Sequence, residues 1–231
     1  MQMKTVIITG VSGNLGQAVA KKFLAEGYRV AGTVTHKDPS GFAIQDSNFE
    51  TFAVDLMQED EAGEVVAKII GIHKVVDAAV LTVGGFTMGN IEKTKGKDID
   101  WQIKLNFQTA WNVVKPVFEH MLENGKGRIF LVGSKPGSDM HQSKGMVAYG
   151  LSKSLIFRLA ELMNDEAKGK NIVTSVIVPS TIDTPQNRKA MPDADFSKWV
   201  KPEAIADIIY FHCTPEAEVL REPVIKVYNN A

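Results

Sequence analysis

Near its start the chain reads Thr9-Gly10-Val11-Ser12-Gly13-Asn14-Leu15-Gly16, a glycine-rich stretch that directly follows the apolar run Val6-Ile7-Ile8. Apolar residues at helical spacing come next, so the order is strand, glycine turn and helix. Such a unit directs backbone N–H groups and the positive end of a helix at a pyrophosphate, and glycine permits its close approach. A tight turn would use the same glycines, but the position at the first βα unit favours dinucleotide binding. We expect cofactor contacts from Gly10, Ser12, Gly13, Asn14, Leu15 and Gly16.

The rest of the chain continues this alternation of short Val- and Ile-rich runs with longer amphipathic stretches. The pattern predicts an α/β fold, a doubly wound parallel sheet of about seven strands with helices on both faces. Because no linker or repeat interrupts it, we expect one Rossmann domain over 1–231. The predicted strands are 4–9, 29–34, 49–54, 74–80, 127–133, 171–178 and 223–227, and the predicted helices are 14–26, 59–71, 98–122, 147–168 and 202–212.

The composition excludes several classes of protein. Among 231 residues there are 26 Lys and Arg against 27 Asp and Glu, a net charge of −1, which argues against general binding to nucleic acid or membrane surfaces. The single cysteine, Cys213, excludes an intramolecular disulfide, and the run Val6-Ile7-Ile8 is too short for a signal peptide or membrane span. We therefore expect a cytoplasmic protein. The histidines show no metal-ligand spacing, so no metal site is predicted.

The end of the second predicted strand bears on the choice of cofactor. The usual acidic residue that binds the adenosine ribose is absent from Gly32-Thr33-Val34-Thr35-His36-Lys37. With Thr35, His36 and Lys37 there, a 2′-phosphate can be accommodated, so NADP is favoured over NAD. The alternative is that His36 and Lys37 are two solvated basic residues of a loop. Asp55, followed by Leu56, ends the third strand and either meets the adenine or forms an ordinary turn.

An acid–base pair is suggested by Tyr149 and Lys153, whose i,i+4 spacing puts both side chains on one helix face. A cation about 4 Å from the phenol contributes about 4 kcal/mol at an effective dielectric of about 20, which would lower the tyrosine pKa by roughly three units. Such a pair alone is common in surface helices. Here, however, strand 127–133 leads into Ser134 just before this helix, and Asn106 lies within a helix where it needs a buried partner or water.

These motifs, in this order, resemble the short-chain dehydrogenase/reductase family over practically the full chain. The resemblance implies NAD(P)-dependent hydride transfer to a carbonyl or conjugated imine. It also implies that Tyr149 is the proton donor or acceptor and that Lys153 tunes it and binds the nicotinamide ribose. Ser134 would orient the substrate carbonyl, and Asn106 would support a proton-relay water.

Within the family, the stretch Asp183 to Trp199 and the turn Gly84-Gly85-Phe86 resemble the dihydropteridine reductase group. The resemblance implies that Pro179, Ile182 and Thr184 hold the nicotinamide carboxamide and that residues 179–201 form a lid over the substrate. A proline-braced loop covering the sheet end is the alternative. Expected substrate contacts are Phe86, Met146, Asn187, Met191 and Trp199.

Three departures from these relatives are visible. The family's Asn-Asn-Ala-Gly after the fourth strand is Leu81-Thr82-Val83-Gly84 here, so Val83 and Gly84 are expected to contact the cofactor through backbone or other groups. The acid at the end of the second strand is missing, and Ser134 is present where dihydropteridine reductases lack a serine. The group therefore does not identify the substrate.

Two further hypotheses concern partners and function. By analogy with the family, helices 98–122 and 147–168 would form a homodimer or homotetramer, because two apolar stripes follow the second helix. Burial of both stripes within one monomer would give the same pattern. The alternative function is a dinucleotide sensor that signals without turnover, but such a sensor has no chemical need for all four acid–base residues.

Overall fold

The computed structural model describes residues 3–35, 44–139, 141, 143–221 and 223–230. Within them, seven parallel strands form one sheet in the order β3-β2-β1-β4-β5-β6-β7. The strands are β1 Thr5–Thr9, β2 Arg29–Val34, β3 Phe49–Ala53, β4 Ala78–Leu81, β5 Lys126–Val132, β6 Asn171–Pro179 and β7 Val224–Val227. The α-helices are α1 Asn14–Ala25, α2 Glu59–His73, α3 Gly96–Ile103, α4 Thr109–Asn124, α5 Lys135–Ser138, α6 Val147–Glu166, α7 Pro185–Ala190 and α8 Pro202–Phe211.

Both faces of the sheet are covered, because alternate residues of each buried strand point to opposite sides. Val6 and Ile8 of β1 pack in one apolar cluster with α1 and α8, whereas Ile7 between them packs in a second cluster with α2, α4 and α6. All three residues are fully buried. The predicted doubly wound α/β fold is confirmed.

The order of the strands reverses next to β1. This strand pairs with β2 on one side and with β4 on the other. The first three strands are therefore added in one direction across the sheet, and the strands from β4 onward are added in the opposite direction. In open parallel sheets, a crevice opens at this point outside the carboxyl ends of the strands, and ligands bind there. The glycine turn predicted to bind phosphate follows directly from β1.

The predicted strand at 74–80 begins later than expected, at Ala78. Helix α2 continues to the residue before Lys74, which closes it with a φ of 68°. The next residues form a connection in which the Asp77 carboxylate accepts a hydrogen bond from the Thr5 backbone N–H at 2.9 Å. The apolar residues before Ala78 are thus part of a loop that joins helix to sheet.

The single helix predicted over 98–122 is interrupted. Between α3 and α4 the chain forms a π-helical turn at Lys104–Gln108, with Asn106 at its centre. The wider turn adds a residue to the helix without breaking its path, and such turns occur frequently at functional sites. The buried amide of Asn106 forms hydrogen bonds outside the helix, which periodicity alone does not predict.

The glycine turn after β1 depends on a close approach between backbone segments. Gly10 has a φ of +67°, which favours glycine, and a Cβ on Gly16 would lie 2.8 Å from the Gly10 carbonyl carbon and still closer to its oxygen. Neither group can move away without opening the turn. Among the described residues, no helix has both the length and the apolar composition needed to cross a membrane.

We expect Gly16→Ala to lower the free energy of unfolding by about 1–3 kcal/mol, because the added methyl group meets backbone. The matched control is Gly63→Ala in α2, where an added Cβ meets nothing within 4 Å. That change should raise the free energy of unfolding by about 0.5–1 kcal/mol, since alanine is the better helix former. Urea unfolding of both variants tests this, and equal stability of the two would contradict the packing described.

Candidate active site

A cleft of about 370 Å³ opens at the carboxyl ends of the central strands. It brings together most of the residues expected to bind the cofactor, although they come from five separate segments of the chain. Sequence reasoning did not anticipate the contributions of Thr33, Val34, Val54, Met57, Thr82, Leu105 and Thr109. The expected residues that line it are Gly10, Ser12, Gly13, Asn14, Leu15, Gly16, Thr35, Asp55, Leu56, Val83, Gly84, Ile182 and Thr184.

The N-terminus of α1 faces this cleft. Its N-cap is Gly13, which offers no side chain to cap the first N–H groups of the helix. These N–H groups lack intrahelical acceptors, and the helix dipole places partial positive charge there. The residues present thus fit a dinucleotide pyrophosphate, with glycine at each point of close approach.

A pair of threonines explains the departure after β4. The Thr82 hydroxyl donates to the Thr9 carbonyl at 2.6 Å, and the Thr9 hydroxyl accepts from the Thr82 backbone N–H at 3.0 Å. These bonds join the carboxyl ends of β1 and β4 where the family has its Asn-Asn. Val83 and Gly84 follow directly and line the cleft.

At the far end of the cleft, Asp55 forms the turn that was one of the two expectations for it, and its contact with the adenine stays a prediction. Its carboxylate accepts hydrogen bonds from the Met57 backbone N–H at 3.0 Å and from the Gln58 side chain at 3.3 Å, so it builds the turn before α2. It also lines the cleft, as does the exposed Thr35. His36 and Lys37 lie outside the described residues.

Asn106 is almost completely buried, with 1% of its surface exposed, and every polar atom of its side chain has a protein partner. Oδ1 accepts from the Gly85 backbone N–H at 2.8 Å, and Nδ2 lies within hydrogen-bond distance of the Gly85 carbonyl, Gln102 Oε1 and Ser152 Oγ. The predicted need for a buried partner is met. Its role with a relay water stays a prediction.

Two of these partners were not anticipated from the sequence. Ser152 is fully buried, and its hydroxyl also donates to the Tyr149 carbonyl at 2.8 Å, which connects Asn106 with the start of α6. Gln102, one helical turn before Asn106, extends the network to the Thr87 hydroxyl at 3.0 Å. The only signal in the sequence for Ser152 and Gln102 is their spacing, because each lies three or four positions from a predicted site residue.

Tyr149 lies between Ser134 and Phe86. The Phe86 ring meets its ring edge-on with centroids 5.0 Å apart. Burial raises the pKa of Tyr149 above its usual 10, and the Ser134 hydroxyl, which faces the phenol, opposes this only in part. The predicted lowering of this pKa by Lys153 is wrong for the protein alone, because desolvation dominates.

The Lys153 side chain is buried, with 4% of the residue surface exposed. Its ammonium donates to the Val132 carbonyl at 2.7 Å, at the end of β5. Burial lowers the pKa of Lys153 from its ordinary 10.5 to about 8. A Cβ on Gly84 would lie 3.3 Å from this ammonium and 2.6 Å from Asn106 Oδ1, so Lys153 and Asn106 stand directly behind the cleft wall.

Ser134 is buried at the end of the β5 segment and caps α5. Its hydroxyl accepts from the Gly137 backbone N–H at 3.3 Å. Gly137 packs tightly on α6, since a Cβ there would lie 2.7 Å from Lys153 Cβ. Helix α5 therefore fixes Ser134 relative to Lys153.

The segment expected to form a lid contains the short helix α7, and its ends meet. Val200 donates its N–H to the Thr181 carbonyl at 3.0 Å and accepts from the Asp183 N–H at 2.8 Å. Arg188 of α7 holds the Asp183 carboxylate with two bonds of 2.6 and 2.8 Å. Asn14 in the phosphate turn donates to Gln186 of α7 at 2.9 Å. Pro179, in contrast, ends β6 outside the cleft lining.

Of the residues expected to contact the substrate, only some lie near Tyr149. Phe86 touches it, and Met146 precedes α6 in a segment that pairs with Gly89 through two backbone hydrogen bonds. Asn187 uses its amide to donate to the Ile182 carbonyl at 2.8 Å. Met191 is exposed at the end of α7, whereas Trp199 is buried with 7% exposure. Their contact with substrate stays a prediction.

A family model for short chain dehydrogenases matches residues 4–195. The chain belongs to the short-chain dehydrogenase family. As a short-chain dehydrogenase it is an oxidoreductase, in agreement with the prediction from the sequence motifs. Among the described residues, no cluster of three His, Cys, Asp or Glu side chains could hold a metal ion.

Known proteins that are similar to this short-chain dehydrogenase have names that refer to different activities. Dihydropteridine reductase of Dictyostelium discoideum is 27% identical and covers 90% of this chain and 86% of its own. The cyclic-di-GMP-binding biofilm dispersal mediator protein of Escherichia coli is 28% identical, with 93% and 91% covered. A solved structure of ElxO with NADP bound has a TM-score of 0.89 at 23% identity and covers 97% of both chains. The similarity extends to family and fold, and it does not identify a substrate for this chain.

The buried ammonium gives this short-chain dehydrogenase a distinctive dependence of stability on pH. Below pH 8, Lys153 is charged in both the folded and unfolded states, and its burial destabilises the protein in full. Between pH 8 and 10.5 the folded state loses the proton first, so stability rises with pH. Relative to Lys153→Met, the wild-type free energy of unfolding should rise by about 3 kcal/mol across this range. Urea unfolding at both ends tests this, and parallel pH profiles would contradict it.

Proposed function

We propose that this protein is an NADPH-dependent reductase that acts on a carbonyl or conjugated imine, with Tyr149 as the proton donor. NADH is the alternative cofactor. The observation that carries the proposal is that the Ser134 hydroxyl faces the Tyr149 phenol, on the helix that also carries the buried Lys153 ammonium. The Lys153 ammonium stands behind the wall of a cleft that has the lining expected for a dinucleotide.

The cofactor would lie along the cleft. The turn from Gly10 to Gly16 suits its pyrophosphate, Asp55 lies where the adenine is expected, and Lys153 suits the nicotinamide ribose. The absence of a carboxylate at Thr35 favours NADP, and the similar ElxO structure has NADP bound. When bound, the reduced nicotinamide supplies the hydride.

The acid–base residues have complementary roles. Because burial raises the pKa of Tyr149, its phenol is protonated near neutral pH, which suits donation of a proton to the oxygen or nitrogen of the substrate. The Ser134 hydroxyl orients the same substrate atom and stabilises the phenolate after proton transfer. Lys153 is mostly charged at pH 7 and stabilises that phenolate electrostatically.

The substrate class follows from what surrounds the phenol. Phe86 presents an aromatic ring beside Tyr149, and Met146 adds an apolar side chain at the start of α6. A small conjugated or aromatic carbonyl or imine fits this mixture of apolar walls and a single polar pair. A quinonoid dihydropteridine has this chemistry, and one similar protein is named a dihydropteridine reductase.

The first test is a parallel titration with NADPH and NADH, followed by nicotinamide fluorescence, and then addition of quinonoid dihydropteridine and a panel of small ketones. We expect cofactor oxidation by the wild type. Tyr149→Phe should keep NADPH affinity within about twofold and lose about 10²–10⁴ in turnover, because only the proton donor is removed.

Tyr210→Phe serves as the control for this test, since Tyr210 packs against Phe23 and Tyr28 on α1's side of the sheet. It should match the wild type in binding and turnover. Tight binding without turnover across the panel would favour the sensor hypothesis, and failure to bind either nucleotide would contradict both functions.

We also propose that the outer face of α6 forms the contact of a homodimer, or of one interface in a homotetramer. Ile156, Ala160 and Met163 are buried in the core, whereas Leu151 and Leu155 are exposed by 49% and 37%. Leu162 and Trp101 of α3 are also exposed, by 47% and 53%. Leu159, which the helical spacing groups with Leu151, Leu155 and Leu162, is instead buried. The alternative that both stripes are buried within the monomer does not hold for these exposed residues.

The dimer proposal predicts that Leu151→Asp combined with Leu155→Asp gives a monomer, because charges would replace apolar contact area. Light scattering coupled to size-exclusion chromatography measures the mass directly. The matched control is Ile72→Asp, which changes a 48%-exposed side chain of α2 and should leave the mass of the wild type unchanged. A monomeric wild type would contradict the proposal.

A further inference from the structure

The two residues after β7, Tyr228 and Asn229, connect parts of the site that are far apart in sequence. We call them the C-terminal brace. On one side, the Lys135 ammonium lies 4.2 Å from the centroid of the Tyr228 ring, and the Ser138 hydroxyl faces the Tyr228 phenol. Lys135 and Ser138 are the first and last residues of α5. The brace therefore contacts both ends of the helix that Ser134 caps.

On its other side, the C-terminal brace holds both ends of the expected lid. Near the first end, the Ser180 hydroxyl donates to the Tyr228 carbonyl at 2.8 Å. Near the second end, Asn229 Nδ2 donates to the carbonyls of Ser197 at 3.2 Å and Trp199 at 3.1 Å. The same two residues thus connect α5 with the segment over the predicted substrate site.

Helix α5 depends on such contacts for its position. A helix of four residues has no stability of its own, because nucleation fixes more dihedral angles than its few hydrogen bonds offset. On the α6 side it is held by the close contact of Gly137 with Lys153 and by the Ser143 hydroxyl, which donates to the Pro136 carbonyl at 2.7 Å. Tyr228 supplies the opposing contact.

The backbone at Asn229 supports a specific role for this segment. Its φ of 53° lies in the left-handed region, which asparagine tolerates better than most residues. This conformation occurs where the Asn229 amide bonds to the two lid carbonyls. A residue held in such a conformation indicates that its surroundings determine it.

We propose that Tyr228 is a positioning residue of the reaction, which holds α5 and therefore the Ser134 hydroxyl in place beside Tyr149. Asn229 fastens the lid to the same point. This inference rests on the proposed function, since it gives Ser134 a precise position that proton transfer requires. It extends the site beyond the residues predicted from sequence motifs to the end of the last strand.

The kinetic test combines Tyr228→Leu with Ser134→Ala. Tyr228→Leu should lower kcat by about 10-fold to 100-fold, because a small displacement of a positioning group has effects of this size, while NADPH affinity stays within about twofold. Tyr228→Phe retains the ring under Lys135 and loses only the hydroxyl that faces Ser138, so a smaller loss is expected. In the Ser134→Ala background, Tyr228→Leu should cause no further loss. Multiplicative effects in the double variant would overturn the proposal.

A second measurement needs no turnover and so separates this proposal from the proposed function. In protein labelled with ¹³C at tyrosine Cζ, NMR follows the pKa of Tyr149, which the Ser134 hydroxyl lowers. Tyr228→Leu should raise the pKa of Tyr149 as Ser134→Ala does, and the double variant should add nothing. An unchanged pKa in Tyr228→Leu would overturn the positioning role even if the enzyme is active.

The matched control for both measurements is Tyr210→Leu. Tyr210 also lies beneath a lysine, with the Lys22 ammonium 5.0 Å from its ring centroid, but it packs with Phe23 at the opposite face of the sheet. Its loss should leave kcat and the pKa of Tyr149 unchanged. Equal effects of Tyr210→Leu and Tyr228→Leu would show general destabilisation and would contradict the proposal.

Discussion

The buried amide of Asn106 is the constraint around which the site is arranged. An unsatisfied amide in the interior costs more than its hydrogen bonds contribute, so every element that touches it must supply a partner. The chain after β4 supplies the backbone of Gly85, α3 supplies Gln102, and α6 supplies Ser152. Because Ser152 also bonds to the Tyr149 carbonyl, the start of α6 is fixed relative to the cleft wall.

This arrangement explains why the helix before α4 widens at Asn106. The π-helical turn lets one residue direct its side chain away from the regular helical face and toward the sheet end. The same position then borders Gly84, which can carry no side chain because Asn106 and Lys153 occupy the space. The π-helical turn at Asn106, the glycine at position 84 and the buried Lys153 ammonium therefore depend on one another for their packing.

Much of the fold could be predicted from the sequence, because strand-length apolar runs and a glycine turn are local signals. The seven strands and the coverage of both faces followed from them, and most of the cleft lining was expected only when the family resemblance was added. The boundaries at Ala78 and the interruption at Asn106 did not, since they depend on tertiary hydrogen bonds. Spacing placed Tyr149 and Lys153 on one helix, but it could not reveal that desolvation raises the pKa of the phenol.

The residues that sequence reasoning missed share one property. Ser152, Gln102 and Tyr228 belong to no motif, and their importance comes from partners brought close only by the fold. Serine, glutamine and tyrosine occur throughout the chain, so residue type alone gives no signal. Motifs identify groups that do chemistry, whereas the groups that hold them in place are recognised only from contacts.

The backbone bonds between Val200 and residues 181 and 183 have an evolutionary consequence. They close the neck of the segment from Ile182 to Val200, so its two ends stay together whatever lies between them. A loop with joined ends can change in length at little entropic cost and without disturbing the strand before it. Insertion, deletion or exchange of the residues around α7 is therefore compatible with an unchanged sheet. The residues between the joined ends can therefore diversify while the strands that carry the rest of the cleft stay the same.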